Sequence, residues 1–310
     1  MGETRNPSLF WRNLATEHEG QLRQHGPGEM KRQQALRYFT WQWKWRQLLG
    51  SEQFRFLLSH TPPTDLVRAM VTPQPLSKGL WHGLPWGRVD RWLYSLATRL
   101  LWRYARKNGD PDVLALGEPA LGNPPPVIWR GTTISQDLAN CSLEAEAIRR
   151  ALRGHEPTSI VEIGAGYGRT AYSLLGLFPQ ARYTIIDIQP ALSLSRFYLT
   201  TLHPNRDISF VDAAQDDLTD LSGADLAVSI SSLHEMTPEQ VATYLQVLDR
   251  VVDGVVFLKQ WRSWHNPVDD VVLSMDKYPI PVRWTSILRE TAPVQTQFVQ
   301  AAWLTRDAAE

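Results

Sequence analysis

The chain has 310 residues, 43% hydrophobic and 21% charged, with a net charge of +0 at pH 7. That balance excludes wholesale disorder and an overall basic signature for nucleic acid. No stretch approaches the roughly 18 apolar residues of a membrane span, the opening MGETRNPSLFWRN lacks the apolar core of a secretory leader, and the single cysteine, Cys141, excludes an internal disulfide framework. A reducing cytoplasm is the expected setting.

Charge and aromatic content divide the chain in two. Residues 1–118 hold 17 Lys+Arg against 10 Asp+Glu, residues 119–310 hold 15 against 22, and eight of the 13 tryptophans precede residue 110. In MKRQQALRYFTWQWKWRQLLG, Leu36, Phe39 and Trp43 keep helical spacing, with Leu48 and Leu49 less regular and Gly50 a stop. TPPTDLVRAMVTPQPLSKGLWHGLPWG, with five prolines and three glycines, reads as loop or broken helix. Trp92, Leu96, Leu100 and Tyr104 then recur every four residues in a second helix that ends at Asn108-Gly109. The periodic aromatics read as helix–helix core, while Trp81 and Trp86 are candidates for a lid over an acceptor. Residues 1–116 are thus expected to form a helical, Trp/Arg-rich cap or oligomerisation region, and Pro-rich 117–129 a linker.

Beyond the linker, Leu138, Cys141, Ala145, Ile148 and Leu152 make one buried helical stripe closed by Gly154. Short apolar runs then alternate with helices. The runs are SIVEI (159–163), YTIIDI (183–188), ISFV (208–211), DLAVSI (225–230) and GVVFLK (254–259), and the helices lie near 168–178, 190–201 and 238–252. Continuous apolar strands separated by helices predict a doubly wound, mostly parallel sheet, here in a catalytic domain over 130–310. WTSILRE and QFVQAAWLT read as a closing antiparallel pair, and Thr237-Pro238-Glu239-Gln240 carries the cap signature of a helix start.

The most informative stretch is SIVEIGAGYG, a buried strand that runs into Gly164-x-Gly166-x-Gly168. A dinucleotide fingerprint requires a third glycine at 169, which is Arg. The pattern E-x-G-x-G-x-G instead resembles the cofactor loop of class I S-adenosylmethionine-dependent methyltransferases. On that resemblance Glu162, Gly164, Ala165, Gly166 and Gly168 shape the cofactor site. Asp187 and Ile188 end the second strand, where a carboxylate can accept both hydrogen bonds of a ribose diol. Asp212 and Ala213 follow the third strand, where this class binds adenine. The bland alternatives are a helix cap at Asp187 and a solvated acidic loop at Asp212, Asp216, Asp217 and Asp220.

EIGAGYGRTAYSLL, PQARYTIIDIQPALSLSRFYL, SISSLHEM and FLKQW, which span about 155–265, resemble the sugar O-methyltransferase family, whose members include enzymes that methylate deoxysugars of bacterial polyketides. The resemblance implies S-adenosylmethionine as cofactor and a hydroxyl of a sugar or glycosylated natural product as acceptor, with no nucleic acid or membrane partner. Other oxygen or nitrogen acceptors, a nucleotide-dependent oxidoreductase and a silent scaffold are the rivals, and a homodimer is an open expectation.

An aliphatic hydroxyl needs its proton removed before it attacks a methyl group. The fourth strand leads into Ser231-Ser232-Leu233-His234-Glu235-Met236, which makes His234 the candidate base and Glu235 its partner or the base itself. The alternative is that both only order the loop; Ser231, at the strand end, is a further cofactor-binding candidate. Tyr167, Lys259, Trp261 and His265 are the candidate acceptor contacts, although Lys259 could equally pair with a carboxylate and His265 order a loop with Asp269 and Asp270. No metal is expected.

Overall fold

In a computed structural model, the described residues are 8–33, 44–71, 76–78, 81–82, 86–221, 223–266 and 268–306. The expected helical stripe at Leu36, Phe39 and Trp43 lies outside them. The chain divides into two compact units, one of residues 18–146 and 293–296 and one of residues 1–17, 147–292 and 297–310. Among the described residues no helix is long and apolar enough to cross a membrane.

The first unit is mainly helical. It holds the second half of α1 (Leu9–His25), then α2 (Trp45–Gly50), α3 (Glu52–Ser59), α4 (Pro63–Val71), α5 (Arg88–Asn108), α6 (Pro111–Leu116), a hairpin of β1 (Val127–Trp129) and β2 (Thr132–Ile134), and the start of α7 (Gln136–Leu152). α5 is its spine. Leu93, Ala97, Leu100, Leu101 and Ala105 are buried, and Asp90 closes the amino end by accepting the Gly87 N–H at 2.7 Å.

Trp81 and Trp86 do not form an exposed lid. They are 4% and 9% exposed, pack with centroids 4.4 Å apart and rest against Tyr94 of α5, because apolar burial of three rings outweighs whatever freedom the Gly/Pro loop offers. The linker expectation is corrected too. Residues 117–129 belong to the helical unit, since Glu118 is buried and pairs with Lys31 and Ser135, the Lys31 N–H donates to Gly122 O at 2.9 Å, and Arg32 Nε reaches Asn123 O at 2.7 Å. The division falls inside α7, between Glu146 and Ala147. All five residues of the expected α7 stripe are buried.

The second unit is built on seven strands: β3 (Ser159–Ile163), β4 (Arg182–Asp187), β5 (Ile208–Asp212), β6 (Ala224–Ile230), β7 (Val252–Trp261), β10 (Thr285–Thr291) and β11 (Phe298–Leu304), in the order β10-β11-β7-β6-β3-β4-β5. β3 to β7 are mutually parallel, and β11 lies antiparallel between β7 and β10. This is the doubly wound, Rossmann-like sheet that the alternation of apolar runs and helices predicts. Helices α8 (Arg169–Leu177), α9 (Ala191–Leu202) and α10 (Pro238–Val251) connect the parallel strands. α10 starts as its signature requires, with Thr237 and Gln240 exchanging cap hydrogen bonds and Pro238 between them. Its Leu245 and Leu248 pack against Ala227 and Val256 of the sheet. A further hairpin, β8 (Ser263–Asn266) with β9 (Val271–Ser274), follows β7.

Candidate functional site

Parallel pairing brings the ends of three strands together. Ile163 pairs with Ile186, and Asp187 with Asp212, so the carboxylates of β4 and β5 stand side by side. From Ile163 the chain turns through Gly164 and Gly166, at φ of 74° and 60°. A Cβ on Gly164 would stand 2.0 Å from Ser232 Oγ, so only glycine lets this loop pass the one after β6. At Gly166 a Cβ would meet nothing within 4 Å, and the position faces open space.

Asp187 links the loop to the sheet. Its Oδ2 accepts the Gly166 N–H at 2.9 Å and its Oδ1 the Ile188 N–H at 2.8 Å. Burial pushes its carboxyl up to about 7, against the pull of these N–H groups, and Asp212 adds repulsion. The Ala165 N–H also acts on this carboxyl, and a carboxylate with about four acceptor positions keeps capacity beyond these three for a ribose hydroxyl. The chain thus fits an adenosine-bearing cofactor by a buried carboxyl acceptor beside open space. Asp187 does not cap α9, which has no side-chain cap bond at its start.

The remaining cofactor candidates are more varied. Asp212 is buried, accepts the Ala214 N–H at 3.0 Å, and has its own N–H bound by Asp216. The Ala213 N–H donates to Asp187 O at 2.9 Å, as a continuation of the sheet ladder, so this amide is already engaged. Glu162 is buried and accepts from Tyr183 Oη at 2.8 Å. Gly168 is the left-handed N-cap of α8, and Ala165 is buried between the glycines.

A cavity opens at the carboxyl ends of β3, β4 and β6. Gly164, Asp187, Ile188, Ser232, Met236 and Tyr244 line it, with Ser8 and Trp11 from the start of α1. Sequence reasoning did not assign Ser232, Met236, Tyr244, Ser8 or Trp11 to the site. Tyr244 is visible in hindsight as one helical turn beyond Gln240, whereas Ser8 and Trp11 carry no local signal for a site some 150 residues away in the chain. Both belong to the same compact unit as the cavity. Burial and the carboxylates of Asp187 and Asp212 push the Tyr244 phenol upward, so it stays a hydrogen-bond donor.

After β6 the chain turns at Ser231, a non-glycine residue held at φ 58° with its N–H on Lys259 O at 2.8 Å. Such a conformation is costly and concentrates at functional turns. The next turn, Leu233–Glu235, carries His234 and Glu235. The imidazole is 2% exposed, faces Gln260 Oε1 through Nδ1 at 3.0 Å, and is surrounded by Trp261, Trp264 and Phe298 at centroid distances of 6.2, 5.5 and 6.1 Å. Burial pushes it down to about 4, with the Gln260 contact pulling the other way. Glu235 Oε1 is 3.7 Å from His234 Nε2. Burial, helped by the Asp187 charge, pushes Glu235 up to about 8, and its Oε2 has no hydrogen-bond partner among the described residues. Burial thus favours the neutral form of both groups and works against an ion pair across this contact.

The acceptor candidates separate. Trp261 lies half-buried between His234 and Phe298, at 5.2 Å from the latter. Lys259 is buried with Nζ 5.6 Å above the Phe298 ring. Tyr167 is a core ring, edge-on to Tyr198 at 5.3 Å, because the turn into α8 aims it inward. His265 is exposed and pairs with Asp270 at 3.0 Å in the β8–β9 hairpin, the loop-ordering arrangement. Asp269 binds the Leu9 and Phe10 N–H groups at 2.9 and 3.0 Å.

Residues 161–256 match the family described as methyltransferase domain. No curated protein sequence matches the chain. Among solved structures it is similar to the pyocyanin biosynthetic protein PhzM, at 16% identity over 54% of this chain and 56% of that one, TM-score 0.38. It is also similar to a Burkholderia thailandensis 1,6-didemethyltoxoflavin-N1-methyltransferase with bound S-adenosylhomocysteine, at 20% identity over 53% and 77%, TM-score 0.41. A third similar structure is magnesium protoporphyrin IX methyltransferase from Synechocystis PCC 6803 with bound SAM, at 11% identity over 56% and 83%, TM-score 0.41. The chain spans little more than half the length of the first of these. Likenesses of this size say nothing about which atom is methylated. The matched residues, 161–256, lie within the sheet unit and span β3 to β7, the strands that form the site.

Proposed function

We propose that the chain is an S-adenosylmethionine-dependent O-methyltransferase whose acceptor is a hydroxyl of a sugar or glycosylated natural product. The observation that carries the reading is the meeting, at one end of the sheet, of the Gly164–Asp187 cradle with the His234–Glu235 turn. Asp187 is close enough to raise the pKa of Glu235. Resemblance of SSLHEM and its flanking segments to sugar O-methyltransferases supports the acceptor class.

S-adenosylmethionine, held at this cradle, would supply an electrophilic methyl group, the acceptor oxygen gaining the methyl as the sulfur–carbon bond breaks to leave S-adenosylhomocysteine. Asp187 and the glycine loop hold the adenosine end, and orientation supplies much of the rate. His234, neutral above about pH 4, offers an imidazole nitrogen to the hydroxyl proton. Above about pH 8 the Glu235 carboxylate, 3.7 Å from Nε2, stabilises the imidazolium that forms. Trp11 and Met236 supply apolar wall on which the face of a sugar or a flat ring can rest.

Calorimetric titration with S-adenosylmethionine, S-adenosylhomocysteine, NAD⁺ and NADH tests the cofactor. The first pair should bind, and Asp187→Ala should weaken that binding at least tenfold, about the 1.5–3 kcal/mol of charge-assisted hydrogen bonds. Binding of NADH alone would overturn the reading. A panel of glycosides and phenols, assayed with the binding-competent enzyme, then separates a sugar acceptor from an aromatic one.

A further inference from the structure

Gln260, fully buried near the end of β7, reaches across to the turn after β6. Its Nε2 donates to Ser229 O at 2.9 Å and approaches Ser229 Oγ at 3.3 Å. Its Oε1 accepts the Ser232 N–H at 3.2 Å and the His234 N–H at 3.4 Å, and lies 3.0 Å from His234 Nδ1. A backbone carbonyl only accepts and a backbone N–H only donates, so both ends of the amide fix its orientation. The flipped amide would set an oxygen against Ser229 O and two donors against two N–H groups. The oxygen facing Nδ1 is therefore an acceptor, and Nδ1 must carry the hydrogen.

We infer that Gln260 is a positioning residue for methyl transfer, which locks the His234 imidazole in the Nδ1–H tautomer and leaves Nε2 bare to take the acceptor's proton. The inference rests on the proposed role of His234. A neutral imidazole has one hydrogen on its two nitrogens, so fixing it on Nδ1 determines the other nitrogen. Trp261, Trp264 and Phe298 pack their rings around the imidazole, and Glu235 is the one titratable group paired with Nε2 among the described residues. The same amide also binds the Ser232 N–H, and Ser232 is the residue whose side chain meets Gly164. The tautomer lock and the cofactor loop are thus anchored to one turn.

The test is nitrogen NMR of the full chain with ¹⁵N-labelled histidine, in the presence of S-adenosylhomocysteine, with the His234 signals identified by their loss in His234→Gln. At pH 7 the wild type should show a protonated Nδ1 and a bare Nε2. In Gln260→Glu the carboxylate next to Nδ1 should raise the titration midpoint of His234 by about one pH unit or more. A hydrogen on Nε2 in the wild type, or an unmoved midpoint in a folded Gln260→Glu, would overturn the inference. If that variant fails to fold, the wild-type spectrum decides alone. Lost binding of S-adenosylhomocysteine would instead defeat the proposed function while leaving the tautomer assignment intact. An Nδ1–H imidazole whose replacement leaves methyl transfer unchanged would deprive Gln260 of its positioning role.

Discussion

Gly164 and Gly166 share a positive φ, yet they restrain the chain for different reasons. Alanine at 166 meets only the conformational cost of the left-handed region, about 1 kcal/mol. Alanine at 164 adds a clash with both Oγ and Cβ of Ser232, the latter at 2.4 Å, and should cost a further ~2 kcal/mol as the loops are forced apart. Urea unfolding of the two variants checks this, and equal losses would mean that the close approach is not a constraint. The glycines and Asp187 were legible in the sequence because each occupies a strand end, where residue type and position are both informative. Gln260 was not, because a glutamine in an apolar run has no periodicity to mark it and its role depends on the register of β6 against β7. Tyr167 and His265 show the converse: residue type suggested a contact, and side-chain direction assigned them to the core and to a surface hairpin.

The parallel strands and their helices follow from the alternation of apolar runs, and the closing pair from its flanking turns. The hairpins β1–β2 and β8–β9, with strands of three and four residues, are too short for a period to appear. The start of α1 was also invisible, since its partner lies far along the chain. Ser8 caps it by accepting the Trp11 N–H at 3.3 Å, donates its hydroxyl to Glu235 O at 3.1 Å, and is followed by the Leu9 and Phe10 N–H groups on Asp269. Phe10 adds an edge-on contact to Trp264 at 5.3 Å. Burial raises the Asp269 carboxyl, but hydrogen bonds from Phe10, Leu9 and Asn266 more than offset this and hold it below its ordinary value. Its contribution is therefore present near neutrality and is lost as pH falls through that lowered value. Asp269→Ala should cost about 1 kcal/mol, the usual worth of a helix cap, and should speed exchange of the Leu9 and Phe10 amides severalfold. Unchanged exchange in a hydrogen–deuterium measurement would show that Ser8 alone holds the segment.

At the scale of the whole chain, the linker signal failed because a proline run can be tied down as well as left free, and Glu118 with Lys31 ties this one to the helical unit. The titration of the whole chain is more regular. Asp187 rises from 3.8 to about 7 and Glu235 from 4.5 to about 8, both mainly through burial, so folding takes up protons at these sites. A raised carboxyl contributes stability that is complete below its unfolded pKa and lost as pH rises through the folded one. His234, lowered from 6.5 to about 4, acts in the opposite sense, but only below pH 6.5. Between pH 6.5 and 8 the two carboxyls are left to dominate, each worth at most about 1.4 kcal/mol per pH unit, and stability should fall by roughly 2 kcal/mol. Urea unfolding at pH 6.5, 7.25 and 8 measures the slope, and Asp187→Asn combined with Glu235→Gln should flatten it. Binding must reverse the protonation of Asp187, because a ribose diol donates and requires an ionised acceptor. Titration of S-adenosylhomocysteine near pH 6.5 should then release protons, seen as a binding enthalpy that changes with the ionisation enthalpy of the buffer. Proton uptake, or a slope that persists in the double variant, would place the titrating groups elsewhere in the chain.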